Sequence, residues 1–330
     1  MDHSSQIGPG WASFGFCVGL SPLVHQSSSF RNQEDSNPQA ATRLENTQVA
    51  MGTAQLLLRR SSFLLTPSPL LCRYPVHSSR LQPRAAMAAD ATSQFQKIQI
   101  QRDDTTFDAY IVGKENAPGV VVLQEWWGVD YQVKNHAIHI SHIGDGYRAL
   151  IPDLYRGKVA LEVAEAQHLM EGLDWQGAIK DIQASVKWLK ENGSPKVGVT
   201  GYCMGGALAI ASGVLVPEVD AVVAFYGTPS SELADPSKAQ APTQAHFGEL
   251  DSFVGFADVT AAKSLEEKLK SSGIPHEVHI YPGCSHAFMN ASPEALERRK
   301  GMGMTDENKG AIDLSWSRFT TWMGRFLGSA

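Results

Sequence analysis

The chain has 330 residues, 43% hydrophobic and 19% charged, with a net charge of −6. That length supplies a sizeable buried core, and the negative balance, without a long Lys/Arg block, excludes nucleic acid or an anionic membrane surface as the main partner. Four cysteines exclude a disulfide-stapled scaffold, and no apolar run reaches the ~18 residues a membrane-spanning helix needs.

Residues 1–89 are compositionally distinct. They hold seven Arg, four acids and no Lys, and from 46 to 89 five Arg stand among Ser, Leu and Pro with no acid. This is the pattern of an organellar transit peptide, a positive unfolded segment read by an import receptor. The expectation is a transit-peptide-like disordered extension over 1–89 and a plastid or mitochondrial product; a start at Met87 would give a cytoplasmic one. Residues 90–330 carry 21 basic and 30 acidic side chains and read as one α/β domain, a monomer.

Strands are predicted at 96–101 and 106–112, around the turn signal Arg102-Asp103-Asp104. Val120-Val121-Val122-Leu123 is a buried apolar strand. Val133, Ala137 and Ile140 mark one helical face, and 147–151 is a strand closed by Pro152. Trp175, Ile179, Ile182, Val186 and Leu189 repeat at helical spacing. A strand at 196–200, a helix at 207–214 and strands at 221–226 and 243–247 follow. Val259, Ala262, Leu265 and Leu269 mark a helix, 276–281 the last strand, and Ile312, Trp316, Phe319, Met323 and Phe326 the stripe of a C-terminal helix. Such alternation predicts a mostly parallel sheet with helices on both faces. Working residues of open α/β sheets gather at the carboxyl ends of strands, which selects Glu125, the 153–156 turn, Cys203, Asp251 and His286.

The sharpest motif is Gly201-Tyr202-Cys203-Met204-Gly205-Gly206, between a strand and a helix. Small residues on both sides of a nucleophile let the chain turn tightly and lift residue 203 out at a helix N-terminus. The dipole and unused N–H groups there favour a thiolate and an acyl oxyanion. Two further loops complete a nucleophile–acid–base order: Phe247-Gly248-Glu249-Leu250-Asp251 and Gly283-Cys284-Ser285-His286-Ala287-Phe288. His286 can take the thiol proton, and Asp251 can fix the imidazole tautomer. The backbone N–H groups of Trp126 and Met204 would form the oxyanion hole.

With Gln124-Glu125-Trp126-Trp127-Gly128 and Pro152-Asp153-Leu154-Tyr155-Arg156, these motifs give residues 96–328 a resemblance to the dienelactone hydrolase (carboxymethylenebutenolidase) family. The resemblance implies an α/β-hydrolase fold over 90–330 and hydrolysis of a small, carboxylated ester or lactone through an acyl-cysteine intermediate, with no metal or organic cofactor. It implies Cys203 as nucleophile, His286 as base, Asp251 as orienting acid and Glu125 as an acid bonded to the resting thiol. It also implies Arg156 as a clamp for a substrate carboxylate. In the family's bacterial enzymes a Ser follows the His and an Arg comes shortly after; here Ala287 and Asn290 occupy those places.

Alternatives are a broader thiol carboxylesterase acting on non-lactone esters, a non-catalytic small-molecule receptor, and a redox switch joining Cys203 to Cys284. His136, His139 and His142, spaced by three, read as a solvated helix edge rather than a metal site. Trp126 and Trp127 read equally as pocket wall or core.

Overall fold

The computed structural model describes residues 94–328, apart from 104. The extension expected over 1–89 lies outside the described residues. Eight strands form one sheet: β1 (Gln96–Arg102), β2 (Thr105–Val112), β3 (Gly119–Leu123), β4 (Arg148–Pro152), β5 (Val197–Tyr202), β6 (Ala221–Phe225), β7 (Thr243–Gly248) and β8 (His276–Tyr281). Their order is β1-β2-β4-β3-β5-β6-β7-β8. β2 runs antiparallel to both β1 and β4, and every other pairing is parallel. The two antiparallel members are joined by a tight turn, where Asp103 takes a positive φ of 49°.

Burial explains which strands alternate and which do not. β3 to β7 are buried at every position and read as apolar runs because both sheet faces are covered. β1, at the edge, buries only Ile100. The helices are α1 (Tyr131–His142), α2 (Val163–Glu171), α3 (Trp175–Glu191), α4 (Met204–Leu215), α5 (Val259–Ser272), α6 (Pro293–Gly301) and α7 (Lys309–Leu327); α1, α3, α4, α5 and α7 cover the sheet.

β5 shows the two layers directly. A side chain on Gly198 would press on Met323 and Leu327 of α7, and the Tyr202 ring stacks on His136 of α1 at 4.1 Å. Gly201, between them in the period-two alternation, abuts the Gly205 carbonyl of α4 on the opposite face. Helices thus cover both faces, as the alternation predicts.

His136 departs from the sequence expectation. It is buried against Tyr202, and burial pushes its pKa down to about 3, so it is a neutral core residue. Its Nε2 accepts a hydrogen bond from Gln132 at 3.0 Å. The apolar faces of Tyr202 and Trp316 give the ring a packing site that a count of polar residues along α1 does not reveal. Among the described residues no cluster of His, Cys, Asp or Glu could hold a metal ion.

Candidate active site

The strand ends converge on one pocket. It is lined by Glu125, Trp126 and Trp127 after β3, Cys203 after β5, Phe253 after β7, His286 and Asn290 after β8, and Arg298, Arg299 and Met302 around α6. It is a cleft partly open to solvent; the space free of atoms in it and at its mouth, open solvent included, is about 430 Å3.

Cys203 sits at the turn between β5 and α4 with φ 54° and ψ −117°. A residue with a Cβ pays for that conformation, so the surroundings must enforce it. They do so with three close approaches. A side chain on Gly201 would meet the Gly205 carbonyl, one on Gly205 the Gln124 and Leu123 carbonyls, and one on Gly206 the Phe225 carbonyl. The Cys203 backbone is tied on both sides: its N–H donates to Phe225 at 3.0 Å, and its carbonyl accepts from Gly206 and Ala207. Met204 is the first residue of α4, where a helix has no partner of its own for the N–H.

Asp251 and His286 are in contact. His286 Nδ1 lies 2.7 Å from Asp251 Oδ2, both residues are buried, and Asp251 Oδ1 accepts from the Phe253 N–H at 3.1 Å. Burial opposes a charge on His286, but the Asp251 carboxylate and then Cys203 outweigh it and hold its pKa well above the ordinary value. Nε2 has no geometrically satisfactory hydrogen-bond partner among the described residues. The Phe253 ring stands edge-on to the imidazole at 4.4 Å, and Tyr226 at 5.0 Å.

Two further expectations on site residues come out differently. Glu125 points into the pocket, yet its carboxylate accepts from Tyr226 Oη at 3.3 Å and Asn290 Nδ2 at 3.2 Å rather than from the thiol. Burial, then the Asp130 charge, push its pKa up to about 6. Arg156 is not among the pocket-lining residues. It donates to Asp181 Oδ2 at 2.7 Å and to the Asp153 carbonyl, and lies over the Phe107 ring. Trp126 and Trp127 are walls of the pocket, edge to face at 5.4 Å.

Residue-type reasoning overlooked Arg298 and Arg299. Arg298 lies over the Trp127 ring at 4.3 Å and pairs with Asp130 at 2.8 Å. Arg299 donates to the His286 carbonyl at 3.2 Å, to Ser285 Oγ at 3.0 Å and to Asp306 Oδ1 at 2.9 Å. Asp306 in turn accepts from the Ser285 N–H and hydroxyl. The available signal was Ser292-Pro293, a cap followed by Pro in the first helical turn. Cys284 is a buried free thiol beside Asn308 and Asp306, and it does not line the pocket.

With this geometry in view, comparison with known proteins is decisive. Residues 107–327 match the dienelactone hydrolase family. The chain belongs to that family. It is 33% identical over 210 residues to Protein usf of Aquifex pyrophilus, a span covering 60% of this chain and 89% of the relative. Carboxymethylenebutenolidase of Pseudomonas putida is 28% identical over 207 residues, covering 58% of this chain and 84% of that protein. Among solved structures, a dienelactone hydrolase-like promiscuous phosphotriesterase from metagenomic libraries superposes with a TM-score of 0.62 at 19% identity, over 71% of this chain and 98% of that one. The dienelactone hydrolase of Anabaena variabilis gives 0.51, also at 19%, over 71% and 99%. These two likenesses carry the α/β-hydrolase fold, and family membership makes the chain a carboxylic-ester hydrolase by class.

Proposed function

We propose that this dienelactone hydrolase-family member cleaves a small ester or lactone through an acyl-cysteine intermediate on Cys203. The observation that carries the reading is the buried 2.7 Å contact between His286 Nδ1 and Asp251, with the Cys203 side chain interacting with the same imidazole in the pocket both line. Asp251 fixes the tautomer, so Nε2 can take the Cys203 proton. The sulfur then adds to the substrate carbonyl, and the oxyanion is met by the Trp126 and Met204 N–H groups. The tetrahedral adduct collapses, His286 gives its proton to the leaving alkoxide, and the acyl group remains as a thioester. A water that loses its proton to His286 attacks the thioester, releases the acid and restores the thiol. For a lactone the leaving alkoxide stays tethered to the acyl group until that second step.

Activated-ester turnover by wild type and Cys203→Ala tests the reading. The variant should keep its fold, because residue 203 belongs to a turn, and should lose about 10³-fold or more in rate. Near wild-type turnover in the variant would exclude Cys203 as the nucleophile, and absence of turnover by wild type would favour a receptor on a hydrolase scaffold.

A further inference from the structure

The pocket's charges say more about the acyl group than the triad does. Arg156 is held by Asp181 outside the lining, so the cation that family resemblance assigns to a substrate carboxylate does not face the pocket. Of the two arginines that do line it, Arg299 is consumed: Nε, Nη1 and Nη2 donate to the His286 carbonyl, the Asp306 carbonyl, Ser285 Oγ and Asp306 Oδ1. Arg298 is neutralised by Asp130 at 2.8 Å and covered on one face by Trp127. The Glu125 carboxyl, also in the lining, has Tyr226 and Asn290 as hydrogen-bond donors and no Arg or Lys partner; the positive charge that bears on it is that of the His286 imidazole, which Asp251 already pairs. The large apolar side chains of the wall are Trp126, Trp127, Met170, Phe253 and Met302.

Resting on the catalytic reading above, we infer that this site selects esters or lactones with an uncharged, apolar acyl group and discriminates against carboxylated ones. The aromatic and thioether wall suits an apolar chain or ring by burial. A second carboxylate entering the pocket would face Glu125, and it would be desolvated with both arginines engaged and His286 already paired with Asp251. The Asp130–Arg298 pair is the element that sets this preference. Asp130 is also the cap of α1, accepting from the Val133 N–H at 3.1 Å. Asn caps a helix as well as Asp, so Asp130→Asn can release Arg298 while α1 keeps its start.

The test compares 4-nitrophenyl hexanoate with the mono-4-nitrophenyl ester of adipic acid, equal in chain length and different in the terminal carboxylate. Initial rates near neutral pH, corrected for spontaneous hydrolysis, give kcat/KM for each. Wild type should favour the hexanoate by about tenfold or more, the scale of an unpaired charge against an apolar group. Asp130→Asn should narrow that ratio by roughly threefold or more, and Asp130→Asn with Arg298→Gln should lose the gain. Equal or better use of the adipate by wild type, or an unchanged ratio in Asp130→Asn, overturns the inference while leaving the acyl-cysteine reading standing. Absence of Cys203-dependent turnover of either ester overturns that reading and this inference with it.

Discussion

At the scale of single residues, the site is built from groups held in states they would not choose alone. Cys203 takes a positive φ because glycines at 201, 205 and 206 let three backbones approach it closely. Glu125 is a buried carboxyl with two neutral donors, and its pKa is pushed up to about 6 from an ordinary 4.5. A carboxyl raised in this way favours the fold while it is protonated. Its contribution is complete below the ordinary value and is lost as pH rises through about 6. The loss amounts to about 2 kcal/mol. Glu125→Gln removes this titration, so the stability of the variant minus that of wild type should grow by about that amount between pH 4.5 and 7. Denaturant titrations across that range check it; a difference that does not change with pH would show that Glu125 ionises without cost in the fold.

At the scale of elements, α6 links the C-terminal region to catalysis. It buries only Ala295 and Arg299, four residues apart on one face, so it has no apolar stripe by which periodicity could predict it. α2 was equally hidden, since Ala166 is its one fully buried residue. Both lie beside the pocket, contributing Met170, Arg298 and Arg299 to its wall. Arg299 carries α6 onto the base loop, where Ala287 takes φ 56° directly after His286. In the proposed mechanism Arg299 is therefore a positioning residue. Arg299→Met should lower kcat by roughly ten- to a hundredfold with KM within about twofold, and should shift the pH dependence of kcat. Arg299→Lys should recover part of the rate through the His286 carbonyl. A loss that merely follows the unfolded fraction, with an unshifted pH profile, would reduce the residue to a structural role.

At the scale of the whole molecule, the sheet was legible because each parallel strand is a short apolar run followed by a helical stripe. The positions of Cys203, Asp251 and His286 at strand ends were legible because each lies in a loop directly after an apolar strand. Tertiary pairing was not. Arg156 reads as a free loop cation until Asp181, buried on α3, is seen to hold it. His136 reads as solvated until Tyr202 is seen to cover it. Such partners lie 25 and 66 residues away along the chain, and no local pattern announces them. The proposed reaction requires Cys203 to become acylated. The direct measurement is rapid acid quenching during turnover of a 4-nitrophenyl ester, followed by mass spectrometry of the intact chain and its peptides. An acyl group on the peptide carrying Cys203, formed as fast as the nitrophenolate burst and lost at the steady-state rate, is the predicted result; turnover with no adduct on Cys203, or with the acyl group on another residue, would contradict it.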